Sequence, residues 1–152
     1  MSLHKYFLNL KTDQAKTRPV GFWFASFLFL ILLDWSSKLI AVQIGLDIFY
    51  NQKFAFSLDV PKGVMFVLYV LVFALIGKFI YERYQSMTSV TKLGFCLILA
   101  GGSANILERL AFGKVVDFIF IFNGVINFAD IFVLSGIIVV LIQIYFVGTK
   151  KV

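Results

Sequence analysis

The chain has 152 residues, of which 61% are hydrophobic and only 14% charged, with a mean hydropathy of +0.94 and nineteen Phe. That is far more apolar than a soluble globular domain and reads as an integral membrane protein. The net charge of +6 collects at the ends of apolar runs with no aromatic-basic module among them, so it argues for membrane topology and against nucleic-acid binding.

A basic arm containing His4, Lys5, Lys11, Lys16 and Arg18 precedes the first apolar run, residues 20–42. This run outlasts a signal-peptide core and lacks an A-x-A site, so it is expected to stay in place as an anchor. Three further runs follow at residues 64–80, 91–110 and 127–147. At a rise of about 1.5 Å per residue each reaches across a hydrocarbon core of roughly 30 Å, the second with help from its flanks. Lys78, Arg83 and Lys92 flank the connection between the second and third runs, and Lys150 and Lys151 follow the fourth. The positive-inside rule puts these groups, and both termini, in the cytoplasm.

The other two connections, residues 43–63 and 111–126, offset Lys53, Lys62 and Lys114 with Asp47, Asp59 and Asp117 and are expected to face outward. Ile48, Phe49, Tyr50, Phe54, Phe56 and Leu58 give the first the composition of short strands ended by Pro61. Residues 114–122 are similar and lead to the turn pair Asn123-Gly124. The predicted fold class is therefore an all-α membrane protein, four transmembrane helices with a small extracytoplasmic β cradle, residues 1–152 making one integral membrane domain. Cys96 sits among Leu, Ile and Phe and reads as packing, and His4 has no ligand partners nearby, so no metal is expected.

The ionisable residues inside the spans all fall in the outer half. Asp34 lies about two thirds of the way along the first span, with Lys38 one turn further on the same face. Asn105, Glu108 and Arg109 occupy the outer end of the third, beyond a small-residue cluster at residues 100–104 that suits close helix packing. Asn127 and Asp130 are expected in the first turn of the fourth, and Asp117 reaches the same border from the loop. A carboxylate cannot snorkel as Lys does, so two of them at one membrane edge point to function.

Paired carboxylates divide labour: one stays charged and draws a proton from water, while the other keeps a proton and donates it to a carbonyl oxygen, as in aspartic proteases. Asn51, Asn105 and Asn127 supply neutral donors, and Arg109 suits a carboxylate or a phosphate-bearing lipid head. Two other readings use the same residues. A small proton-coupled transporter or channel subunit would rely on Asp34, and a non-enzymatic assembly subunit would hold a partner with its aromatic loops.

Five blocks, Asp34-Trp-Ser-Ser-Lys38, Asn51-Gln-Lys-Phe-Ala-Phe56, Gly101-Gly-Ser-Ala-Asn105-Ile-Leu-Glu-Arg109, Val115-Val-Asp117-Phe118 and Asn127-Phe-Ala-Asp130, resemble in order and placement those of lipoprotein signal peptidase, or signal peptidase II. The resemblance runs over about residues 20 to 147. It implies a bacterial inner-membrane endopeptidase, working without metal or cofactor, that cleaves prolipoproteins before a diacylglyceryl-modified cysteine. It further implies that Asp117 and Asp130 are the catalytic pair, that Asn51, Asn105, Arg109, Asn127 and Ala129 surround pair and substrate, and that Asp34 and Lys38 support them. The expected partners are lipid-modified prolipoproteins and membrane lipid, the expected state a monomer. Lys53, Ala104 and Glu108 depart from the family pattern, which has Gly, Gly and Asp there.

Overall fold

The computed structural model describes residues 18–52, 60–122 and 124–148. The basic residues His4, Lys5, Lys11 and Lys16, the aromatic segment 53–59 with Lys53 and Asp59, Asn123 of the expected turn, and Lys150 and Lys151 lie outside the described residues. Among the described residues there are four long helices: α1 Val20–Gln43, α2 Lys62–Arg83, α3 Ser89–Phe112 and α4 Phe128–Gly148. Each is long and apolar enough to cross a membrane.

Local chemistry sets their ends. Pro19 and Pro61, extended and without an N–H to offer, stand immediately before α1 and α2. The chain leaves α1 through Gly45 at φ 72°, with Leu46 N–H donating to the Ala41 carbonyl and Gly45 N–H to that of Val42, the paired bonds of a Schellman stop. Thr88 starts α3 by accepting from the Thr91 N–H at 3.1 Å, and Gly113, left-handed at φ 70°, ends it. The second span is longer than the apolar run 64–80 because the helix runs from Pro61 until a 3-10 turn at Tyr84–Ser86. Asn127, expected within the first turn of α4, stands one residue before it and caps it.

Among the described residues between the helices lie four short strands: β1 Phe49–Asn51, β2 Val115–Asp117, β3 Ile119–Ile121 and β4 Gly124–Ile126. β1 pairs antiparallel with β2, and β3 with β4. The run expected over residues 114–122 is thus split at Phe118, whose N–H donates to the Ile126 carbonyl and passes the chain from one ribbon to the other.

Lipid removes the usual amphipathic pattern, and the bundle exposes Leu, Ile, Val and Phe along all four helices. Contact is concentrated where side chains are smallest. Gly94, Ile98 and Gly101 of α3 meet Val140, Gly136 and Ala129 of antiparallel α4 along a seam of alternating three- and four-residue steps. A Cβ on Gly136 would stand 2.5 Å from the Gly94 carbonyl oxygen, and one on Gly101 would collide with the carbonyl of Ala129. Gly102, in the same small-residue cluster, faces Phe73 of α2 instead. Ile31, Ala100, Ala104 and Ala129 form a core at the strand-bearing end, and Met87, Phe95 and Val140 another at the opposite end. Cys96 is buried, its Sγ 3.6 Å from the Trp23 carbonyl oxygen. No described side chain of α2 is buried; the helix rests on α3 through contacts such as Phe79 on Phe95, with ring centroids 5.6 Å apart.

The seam is testable. Gly136→Ala forces backbone against backbone and is expected to lower stability in detergent by about 1–3 kcal/mol. Gly77→Ala on α2, with nothing within 4 Å of the new methyl, is expected not to lower it. Thermal melts of the two purified variants make the comparison, and equal midpoints would show that α3 and α4 are not in close contact.

Candidate active site

The pairing of β1 with β2 builds one wall. Asn51 stands opposite Val115, and Asp117 is two residues further along β2, so the two side chains are diagonal neighbours on one face. Asn51 Nδ2 donates to Asp117 Oδ2 at 3.1 Å. Val115 and Asp117 point inward, each 1% exposed, with Val116 between them turned partly outward.

The start of α4 builds the other wall. Asp130 N–H donates to Asn127 Oδ1 at 3.0 Å, and Asn127 N–H donates to Asp130 Oδ2 at 3.2 Å. This is a reciprocal capping box, with Asn and Asp in the places where Ser or Thr and Glu are commoner. The helix start therefore orients Asp130. Its other oxygen, Oδ1, accepts from Asn105 Nδ2 of α3 at 2.9 Å.

Asn127 links the walls. Its Nδ2 donates to Asp117 Oδ1 at 2.6 Å and to Asn105 Oδ1 at 3.1 Å, which engages both amide hydrogens while Oδ1 caps the helix. Asp117 and Asp130 are thereby held in one network, close enough for the charge of Asp130 to act on Asp117. Burial pushes the Asp117 carboxyl up to about 6; hydrogen bonds from Asn51 and Asn127 pull it back, the Asp130 charge adds to the rise, and Lys38 opposes it.

A second layer of charge supports the pair. Lys38 Nζ donates to Glu108 Oε2 at 2.5 Å and to Asn105 Oδ1 at 3.3 Å, and pairs with the charge of Asp34 Oδ2 at 2.7 Å. Asp34 Oδ1 accepts from the Ala129 N–H at 2.8 Å, so this carboxylate also holds the first turn of α4. Ala129 is fully buried, its methyl in the apolar core against Ile31, Ala100 and Ala104. Arg109 Nη1 donates to the Asn105 carbonyl at 3.3 Å, one turn back along α3. Four carboxylates, Asp34, Glu108, Asp117 and Asp130, thus gather with two cations, Lys38 and Arg109.

All nine residues singled out in the sequence, Asp34, Lys38, Asn51, Asn105, Arg109, Asp117, Asn127, Ala129 and Asp130, converge on this end of the bundle. Glu108, placed by the sequence at the outer end of the third span but given no role there, is buried and touches both Lys38 and the strand that carries Asp117. Its position, seven residues after Gly101 and three after Asn105 on the α3 seam, is the signal that could have found it. Among the described residues, no three His, Cys, Asp or Glu side chains gather as metal ligands.

Comparison with known proteins gives this geometry a context. The family described as signal peptidase (SPase) II matches residues 26–146. The lipoprotein signal peptidase of Fusobacterium nucleatum is 24% identical over 143 residues, covering 82% of this chain and 87% of that protein. That of Chlamydia trachomatis serovar L2 is 28% identical over 157 residues, covering 84% and 93%. A bacterial membrane enzyme solved by the in meso method at 2.3 Å resolution shares the fold, with a TM-score of 0.78 at 20% identity over 90% of this chain and 95% of that one. With the family match running from α1 nearly to the end of α4, the chain belongs to the signal peptidase II family.

Proposed function

We propose that this protein is an aspartic endopeptidase of the bacterial cytoplasmic membrane that removes signal peptides from diacylglyceryl-modified prolipoproteins, with Asp117 and Asp130 as its catalytic pair. Membership of the signal peptidase II family supports signal-peptide processing and protease activity. The observation that carries the finer reading is the joint hold of Asn127 and Asn105 on both carboxylates at one end of the bundle.

In this reading the ionised member of the pair takes a proton from water as the oxygen attacks the scissile carbonyl, and the protonated member donates to the carbonyl oxygen. Collapse of the tetrahedral intermediate breaks the C–N bond. The departing amine takes up a proton, leaving a free carboxylate on the signal peptide and a free amino group on the lipidated cysteine. Asn51, Asn105, Arg109 and Asn127 hold the pair and line the approach, Ala129 seats the start of α4, and Asp34 and Lys38 support them from α1. The pair lies at the outer membrane border, both termini in the cytoplasm, so that a signal peptide still embedded in lipid presents its cleavage point directly. The working unit is a single integral membrane domain acting as a monomer. Asp34, on which a proton-coupled transporter would depend, has one oxygen on Lys38 and the other on the Ala129 N–H, and so offers poor access to a travelling proton.

Asp117→Asn and Asp130→Asn are each expected to reduce cleavage of a diacylglyceryl-modified prolipoprotein by about 10³-fold or more while the protein still inserts into membranes. Gel-shift assays with purified protein measure this, and turnover retained in either variant removes the pair. Treatment with a metal chelator is expected to leave the wild-type rate unchanged, and a rate lost to chelation and restored by metal would require a different mechanism.

The pH profile of kcat/KM is expected to inflect near 6, where Asp117 titrates. The Asn51 amide stabilises the ionised carboxylate, so Asn51→Ala should move that inflection to higher pH. A shift to lower pH would contradict this arrangement.

A further inference from the structure

Val116, between the two inward-facing residues of β2, does not reach the catalytic pair with its side chain, yet its backbone is firmly held. Its N–H donates to Glu108 Oε1 at 2.9 Å. The other oxygen of the same carboxylate, Oε2, lies 2.5 Å from Lys38 Nζ. One buried side chain on α3 therefore ties down the strand that delivers Asp117 and the ammonium that α1 contributes.

We propose that Glu108 is a positioning residue for the reaction: one carboxylate oxygen fixes the strand next to Asp117, and the other holds the Lys38 ammonium against Asn105, which in turn orients Asp130. The inference rests on the reading of Asp117 and Asp130 as the catalytic pair. Two features argue for a role beyond packing. A buried ion group stabilises a protein little better than apolar residues of the same shape, because both charges must be stripped of water. Reach matters as well. An aspartate here would be shorter by about 1.5 Å and could not span the Val116 N–H and Lys38 Nζ together at these distances.

Charge gives the role a signature. Asp117 feels the charges of Lys38 from α1 and Asp130 from α4; Asp34 of α1 and Glu108 of α3 are paired with that Lys38, and Arg109 of α3 acts on Asp130. Tyr69 of α2 is electrostatically coupled to Arg109 and Asp130; β1 brings the uncharged Asn51, and Lys114, ahead of β2, lies over the Tyr50 ring at 3.6 Å. Removing the negative charge of Glu108 leaves Lys38 offset by Asp34 alone. The net field at Asp117 becomes more positive, its ionised form is favoured, and it should titrate at lower pH.

The test compares Glu108→Gln, Glu108→Ala and Glu108→Asp with the wild type in the full chain, reconstituted in lipid bilayers. Glu108→Gln keeps the shape and an acceptor for the Val116 N–H but not the charge, so its Asp117 carboxyl resonance, assigned by its loss in Asp117→Asn, is expected to titrate at lower pH. Glu108→Ala frees the strand as well, and kcat for a diacylglyceryl-modified prolipoprotein is expected to fall by about 10²-fold with KM within about twofold. Glu108→Asp restores the charge and is expected to bring the titration back toward wild type with kcat between the two. If the wild-type protein cleaves while Glu108→Gln keeps the same Asp117 titration and Glu108→Ala the same kcat, Glu108 has no positioning role. If the wild-type protein itself fails to cleave, the peptidase reading falls.

Discussion

The amide of Asn127 is the point on which the site closes. Its two N–H groups and its oxygen are shared among Asp117 on β2, Asn105 on α3 and the N–H of Asp130 in the first turn of α4. No hydroxyl cap could do the same, because Ser and Thr bring one donor hydrogen where three partners must be met. The helix start and the carboxylate network are therefore a single structure. The cap that satisfies an orphan N–H of α4 also sets the direction in which Asp130 points.

That arrangement runs against the solvent around it. A bundle in lipid gains nothing from gathering charge, and buried carboxylates raise their own proton affinity, as Asp117 does. The cost is offset by pairing: the ammonium of Lys38 lies between Asp34, Glu108 and Asn105, and backbone N–H groups of Ala129 and Val116 donate to the other oxygens of the two acids. A network of this kind holds its members in one geometry, and removing a partner strands a buried charge. Stability is supplied elsewhere, by the glycine seam between α3 and α4, which lets two backbones approach closely without a polar group.

Much of this architecture is legible in the amino-acid sequence. The spans follow from unbroken apolar runs, while the structure sets their limits at Pro19, Pro61, Gly45 and Gly113, whose backbone chemistry starts or stops a helix. The convergence of Asp34, Lys38, Asn105, Asn127 and Asp130 could be read from their depth along helices of known rise. What could not be read is which side of each helix meets another, because in lipid every face is apolar and periodicity carries no direction. Thus Gly94 opposite Gly136 went unnoticed. The partners of Glu108, which come from elements far away in the chain, are equally hidden from the sequence. The split of residues 114–122 at Phe118 depends on a single hydrogen bond to Ile126, which strand propensity has no means of foreseeing.

The contact between Gly101 and the carbonyl of Ala129 has a consequence of its own. Ala129 immediately precedes Asp130, so the thickness of one absent methyl group acts as a ruler for where the second acid stands. Any side chain at position 101 would push the mouth of α4 outward and carry that acid with it, while β2 kept the first in place. The spacing of Asp117 and Asp130 is thus gauged by bare backbone as much as by any polar group, and mutational tolerance along α3 should be read with that in mind.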